Sequence, residues 1–207
     1  MDKILRIGTK VQSVIVPPSY TMELSPGLQS AWYGSRTAPV TIVYIHGGGF
    51  VMGSCQQWCM FYQDLLKKCG SSVKIIAIEY ALAPKHPFPK AQDDCILAYE
   101  AILKLPEVEA DHVFLMGDSA GGNLALMTVL TSKTCLPVGI ILISPWLDLH
   151  MKTVSYTLNQ TSDIYTRKIL EQWRNAYTEN EQDIILAASP GLSDNLSFLP
   201  PILVRNY

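Results

Sequence analysis

An α/β architecture, with a mostly parallel sheet and helices on both faces, is predicted for this 207-residue chain by three observations. Apolar runs at residues 40–45, 73–80, 113–116 and 138–143 are continuous rather than alternating, as in strands buried on both faces. Stretches with helical spacing stand between them at residues 59–68, 90–104 and 120–131, so strand and helix alternate from residue 40 onward. A glycine-flanked serine, Ser119, follows one of these strands and opens a helix. With 48% hydrophobic and 16% charged residues, the chain is long enough to bury one sizeable core, so residues 1–207 read as a single domain.

Ahead of the parallel region, strands are expected at residues 11–16 and 28–33. The Pro17-Pro18 and Ser25-Pro26-Gly27 turn signals separate them with no helical spacing, which predicts an antiparallel meander. After Ser144 the pattern changes. Residues 151–195 are expected to be a cap inserted over the sheet, polar loops around one amphipathic helix that presents Ile169, Leu170, Trp173 and Tyr177 on one face. Pro200 and Pro201 then lead into Ile202, Leu203 and Val204, the expected start of one more strand, which Arg205-Asn206-Tyr207 does not continue. A sheet ending there leaves an exposed edge, so instability is expected.

The charge balance, 16 Lys and Arg against 18 Asp and Glu with no long run of either sign, argues against nucleic acid or a membrane surface as partner. A small neutral or apolar molecule fits better. No apolar stretch approaches the ~20 residues needed to cross a bilayer, and the first residues lack a signal-peptide core, which makes the cytoplasm the default compartment. Cys55, Cys59, Cys69, Cys95 and Cys135 are odd in number and form no C-x-x-C pair, so no metal site is expected and buried free thiols are.

Gly117-Asp118-Ser119-Ala120-Gly121 sits in the strand–turn–helix context of a G-x-S-x-G nucleophile elbow. A turn tight enough to hold Ser119 above the sheet crowds its flanks, and Gly117 and Gly121 avoid the clashes a Cβ would make. Amides at the helix start, that of Ala120 first, then face the reacting centre. His46-Gly47-Gly48-Gly49-Phe50 directly follows the strand at residues 40–45, where an oxyanion-hole loop is expected, and successive glycines let amides approach a ligand closely. Ser119 alone also suits a helix N-cap, and a glycine-rich loop alone also suits a structural turn. Their joint occurrence, each at a strand end and in this order, points to nucleophilic acyl chemistry.

HGGGF followed by GDSAGGNLA resembles the hormone-sensitive-lipase-like family of α/β-hydrolases, which includes bacterial esterases and arylacetamide deacetylase-type enzymes. Glu79 to Pro89 is similar to that family's Y-x-L-A-P-E-x-x-F-P segment, Asp93 or Asp94 falls where the family places an acidic residue, and Ser144-Pro145-Trp146-Leu147-Asp148 resembles its stretch after the sixth strand. The resemblance implies the α/β-hydrolase fold and hydrolysis of small to medium apolar esters. Ser119 would attack the acyl carbon, amides of Gly47, Gly48, Gly49 and Ala120 would hold the oxyanion, and His46 would orient the glycine loop. No metal or organic cofactor is implied, because side chain and backbone supply both attack and stabilisation.

One part of the pattern is missing. In this fold the triad runs Ser, then Asp or Glu, then His, and the resemblance puts both later members beyond Tyr207, so a C-terminally truncated, weakly active or inactive chain is expected. His86 lies between prolines, His112 lies at the wrong end of its strand, and His150 is a poor substitute. Two other readings therefore stay open: a non-catalytic ligand-binding module of the gibberellin-receptor type, which keeps the serine elbow without the histidine, and a truncated product without function. Trp58, Trp146 and Trp173 suit core and pocket equally.

Overall fold

The computed structural model describes residues 18–206 apart from residues 133, 134 and 160, so the strand expected at residues 11–16 lies outside the described residues. Seven strands form one sheet: β1 (Tyr20–Ser25), β2 (Leu28–Tyr33), β3 (Val40–Ile45), β4 (Val73–Ile78), β5 (Val113–Asp118), β6 (Gly139–Ile143) and β7 (Ile202–Arg205), in the spatial order β1-β2-β4-β3-β5-β6-β7. From β4 to β7 every neighbouring pair is parallel, while β1–β2 and β2–β4 are antiparallel. The helices α1 (Cys59–Cys69), α2 (Lys90–Ile102) and α3 (Ala120–Thr131) make the crossovers.

The continuous apolar strands are indeed buried on both faces, with alternate residues serving two cores. Val43, Ile45, Ile76, Ile78 and Leu115 share one core with Cys95, Ala98 and Tyr99 of α2 and Leu124 and Ala125 of α3. Ile42, Tyr44, Ile75, Ala77 and Met116 share the other with Cys59 and Tyr62 of α1. Each such Ile or Val contributes roughly 1.5–3 kcal/mol by leaving water. Lys74 breaks the apolar run of β4 yet is only 1% exposed; its ammonium donates to the carbonyls of Ala38 and Glu107, both at 2.6 Å. Those bonds offset the cost of burying a charge.

The strand order reverses around β3: the chain passes from β3 to β4 on one side, then returns to place β5 on the other. In open α/β sheets, ligands bind at such a switch point, outside the carboxyl ends of the strands. Both singled-out motifs sit there, since His46 follows Ile45 at the end of β3 and Ser119 follows Asp118 at the end of β5.

Between β6 and β7 the described residues form three α-helices and one 3-10 turn (Pro190–Leu192) rather than the single helix expected: α4 (Ser155–Leu158), α5 (Arg167–Thr178) and α6 (Gln182–Ala187). Only α5 is long enough for its amphipathic period to show in the sequence. Thr166 caps it by accepting from the Ile169 amide, and of the four residues expected on its apolar face Tyr177 is buried and Leu170 and Trp173 pack on the larger core, while Ile169 is half-buried outside it. The antiparallel partner of β2 is a hairpin strand at Tyr20–Ser25, joined through Pro26-Gly27, where only turn signals had been read. Of the cysteines, none of which is in a disulfide among the described residues, Cys55, Cys59 and Cys95 are buried as expected, but Cys69 and Cys135 are exposed.

β7 pairs with β6 through residue 205, one position further than the apolar triplet predicted. Its side chains are unusually open, with Leu203 61% exposed. Such an edge templates self-association, and a charge on it blocks that. Leu203→Lys is expected to reduce concentration-dependent association measured by light scattering, with the unfolding free energy within about 0.5 kcal/mol of the parent.

Candidate active site

The turn from β5 into α3 forces Ser119 to φ 50°, ψ −118°, a conformation that side chains resist at a cost of about 1–3 kcal/mol. Three backbone hydrogen bonds hold it. The Ser119 amide donates to the Ile143 carbonyl at 3.0 Å, and the Ser119 carbonyl accepts from the amides of Asn123 and Trp146 at 3.2 and 3.0 Å. Asn123, which sequence reasoning did not single out, ties the neighbourhood together: its side-chain amide donates to the carbonyls of Trp146 and Ala188, both at 2.9 Å.

The glycines of the elbow answer to crowding. A Cβ on Gly117 would collide with the Gly121 carbonyl, and one on Gly121 with the carbonyls of Ile45 and His46. The second contact has the larger consequence, because it brings the start of α3 against the end of β3. The Ser119 side chain makes no capping hydrogen bond to its helix and is only partly buried, so the N-cap reading of this serine falls away.

The glycine loop departs from β3 with an irregular backbone: Gly48, Gly49 and Phe50 all have positive φ, at 123°, 61° and 65°. Phe50 tolerates this because its ring is fully buried, stacked on Tyr177 of α5 at 4.0 Å. Its carbonyl accepts from the Ala83 amide at 2.9 Å, which joins the loop to the 79–89 segment. There Asp94, the partner among the two aspartates weighed, accepts from the Ala81 amide at 3.0 Å and pairs with Lys90. Trp173 lies against the loop, close enough that a Cβ on Gly49 would come within 2.5 Å of its ring.

His46 is 1% exposed, stacked on Tyr80 with ring centroids 4.2 Å apart, and its Nδ1 lies 2.8 Å from the Gly47 carbonyl. A carbonyl only accepts, so the ring proton belongs on Nδ1; Nε2 is buried without a partner among the described residues. The Gly47 amide donates to Asp118 Oδ1 at 2.9 Å, joining the first glycine of the loop to the residue before Ser119. That bond corrects the grouping of Gly47 with the free donors, since its N–H is already taken. The amides of Gly48, Gly49 and Ala120 donate to no acceptor among the described residues, although Gly49 and Ala120 are buried. Unmet buried amides are uncommon and invite an acceptor from outside the chain.

Asp118 collects two donors that the sequence did not flag: Tyr44 Oη at 2.8 Å and Trp58 Nε1 at 3.0 Å, both on Oδ1. Trp58, 40% exposed, therefore belongs to neither the core nor a closed pocket, whereas Trp146 is core at 7%. The remaining histidines are engaged elsewhere or only half-buried. His112 pairs with Glu109 at 2.9 Å at the far end of β5, the His150 amide donates to Asp148 Oδ1 at 2.8 Å, and no described histidine hydrogen-bonds the Ser119 hydroxyl.

A family model described as the alpha/beta hydrolase fold matches residues 42–206. The chain belongs to the α/β-hydrolase family. Among the relatives of this α/β-hydrolase are an esterase of Acinetobacter venetianus, 35% identical over 82% of the chain and 56% of that protein, and an acetyl-hydrolase of Streptomyces hygroscopicus, 32% identical over 80% of the chain and 55% of that protein. The solved structure of EstE7, a hormone-sensitive-lipase homologue from a metagenome library, superimposes with a TM-score of 0.83 at 29% identity, covering 100% of this chain and 72% of that one. The α/β-hydrolase chain thus spans little more than half the length of these curated relatives. No helix among its described residues is long and apolar enough to cross a membrane.

Burial holds the His46 imidazole below its ordinary value, against the Gly47 carbonyl and the charges of Glu79 and Asp118. Between that depressed value and the unfolded 6.5 the unfolded chain binds more protons, so the stability His46 contributes is present above 6.5 and lost as pH falls. Asp118 has the opposite sign: burial raises its carboxyl above 3.8, so its contribution is present below 3.8 and lost as pH rises through the raised value. The α/β-hydrolase is therefore expected to show a falling thermal midpoint between pH 7 and about pH 5.5, with a shallower decline in His46→Gln. An identical decline in the variant would detach the effect from His46.

Proposed function

We propose that this chain carries the nucleophile and oxyanion donors of a serine carboxylic-ester hydrolase acting on small to medium apolar esters. One observation carries the reading: Ser119, held at φ 50° with no hydrogen bond for its hydroxyl among the described residues, lies at the same end of the sheet as the unmet amides of Gly48, Gly49 and Ala120. A tetrahedral intermediate needs two or three such donors, each worth about 10²–10³ in rate. Ser119 Oγ attacks the acyl carbon, the carbonyl oxygen takes up negative charge, and the amides stabilise it without reorganising. His46 keeps the loop turned so that these N–H groups face the acyl oxygen, by drawing the Gly47 carbonyl to its Nδ1–H. The segment at residues 151–195 serves as a cap over this end of the sheet, with Trp173 and Tyr177 resting on the glycine loop.

Attack also requires a base for the serine proton, and no described histidine hydrogen-bonds the Ser119 hydroxyl. Slow turnover is therefore expected from this chain by itself, because an oxyanion hole with binding alone retains about 10³–10⁴ over water. The same observation favours a second reading, a non-catalytic module that binds a small ligand at the serine elbow.

Hydrolysis of p-nitrophenyl acetate and butyrate by the purified chain, beside Ser119→Ala, separates the two. The ester-hydrolase reading expects weak hydrolysis and covalent labelling by a fluorophosphonate, both abolished in Ser119→Ala. Equal hydrolysis by the two proteins, with no adduct on Ser119, would leave the binding module.

A further inference from the structure

One carboxylate oxygen receives three donors, from the end of β3, the residue that opens the glycine loop and the residue that precedes α1, all 60 or more residues from it in sequence. Asp118 Oδ1 accepts from Tyr44 Oη on β3 at 2.8 Å, from the Gly47 amide at 2.9 Å and from Trp58 Nε1 at 3.0 Å. Gly47 and Trp58 bracket the irregular loop between β3 and α1, so this single oxygen holds both of its ends. Within the loop, Val51 and Met52 donate to the Gly48 carbonyl and Gln57 to Ser54, and the first turn of α1 holds its far end through Cys59 to Gln56 and Tyr62 to Trp58; fasteners from more distant elements reach it at Cys55 from Glu79 and at Phe50 from Ala83. Of these outside fasteners, Asp118 is the one that adjoins the serine.

We propose that Asp118, with Trp58 and Tyr44 as its arms, is a positioning residue that clamps the 47–58 loop so that the Gly48 and Gly49 amides face Ser119. The proposal rests on the ester-hydrolase reading of Ser119 and adds to it the device that sets the loop. The geometry separates the roles of the three donors. Gly47 transmits position directly to the glycines that follow it. Tyr44, buried at 2% exposure in the smaller core, fixes the carboxylate on the sheet. Trp58 reaches the same oxygen from the surface and closes the far end. Hydrogen bonds to a charged acceptor are about twice as strong as neutral ones and are directional, which suits a clamp whose purpose is geometry. Because Trp58 is an exposed arm, it is removable without opening the core.

Two measurements on the full chain test the clamp, using Trp58→Phe, which keeps the ring and loses the donor, and Asp118→Ala, which removes the acceptor. Hydrogen exchange followed by mass spectrometry is expected to accelerate in peptides covering residues 47–58, by about 3–10-fold in Trp58→Phe and more in Asp118→Ala. Peptides of β3 and α3 are expected to keep their parent rates. Fluorophosphonate labelling of Ser119 is expected to slow in its maximal rate, by about 10-fold in Trp58→Phe, with the half-saturating probe concentration unchanged. Parent exchange rates in the 47–58 peptides of both variants would overturn the clamp, as would exchange that rises equally along the whole chain. Should Asp118→Ala fail to fold, Trp58→Phe alone decides. A parent chain that takes no phosphonate sinks the ester-hydrolase reading, while the exchange result still decides whether Asp118 sets the loop.

Discussion

The close approach of the α3 N-terminus to the end of β3 is the contact on which the rest of this structure depends. Gly121 lies against the carbonyls of Ile45 and His46 so tightly that a single Cβ would push the helix away. Because the two strands are neighbours at the switch point of the sheet, this contact brings two loops of quite different origin to one place. The serine turn belongs to the β5 crossover and the glycine loop to the β3 crossover, and only backbone packing makes them a unit.

Locally unfavourable features gather around that contact. Ser119 and Phe50 hold positive φ, Asp118 is half-buried against its preference for water, and among the described residues the buried His46 Nε2 has no partner and the Gly49 and Ala120 amides no acceptor. Other non-glycine positive φ values fall at loops and helix ends, at Ser144, Met151, Glu179 and Asn180, while the strands carry β-branched residues and feed two cores with alternate side chains. Folded chains tolerate such a concentration only where surrounding structure over-determines it. The surrounding structure here is specific: Ile143, Trp146 and Asn123 hold the serine turn, and Tyr177, Ala83 and Asp118 hold the loop.

The parallel core was legible because its strands and helices announce themselves by period. The bounds of β2, β3 and α3 follow directly from apolar spacing, whereas β5 runs two residues past its last apolar residue because Gly117 and Asp118 stay paired with Leu142 and Ile143. β1 was missed because Tyr20–Ser25 shows the two-residue alternation of a strand solvated on one face rather than the continuous apolar run that marks the buried strands. α4 and α6 were missed because helices of four and six residues complete too few turns to show a period. At the site, His46, Ser119 and the glycines were visible as residue types whose backbone demands are distinctive. The convergence of Tyr44 and Trp58 on Asp118 was not, since it spans 74 and 60 residues and follows from how β3 and β5 lie side by side. The same packing withdrew Gly47 from the free amides, a fact no motif encodes.

A high-resolution crystal structure of this chain after reaction with a small phosphonate ester tests the central claim most directly, because the bound phosphoryl oxygen marks where an oxyanion would lie. The account predicts a bond to Ser119 Oγ with that oxygen about 3 Å from the Ala120 amide and from at least one of the Gly48 and Gly49 amides. An adduct whose oxygen points to solvent, more than about 5 Å from all three amides, would contradict it.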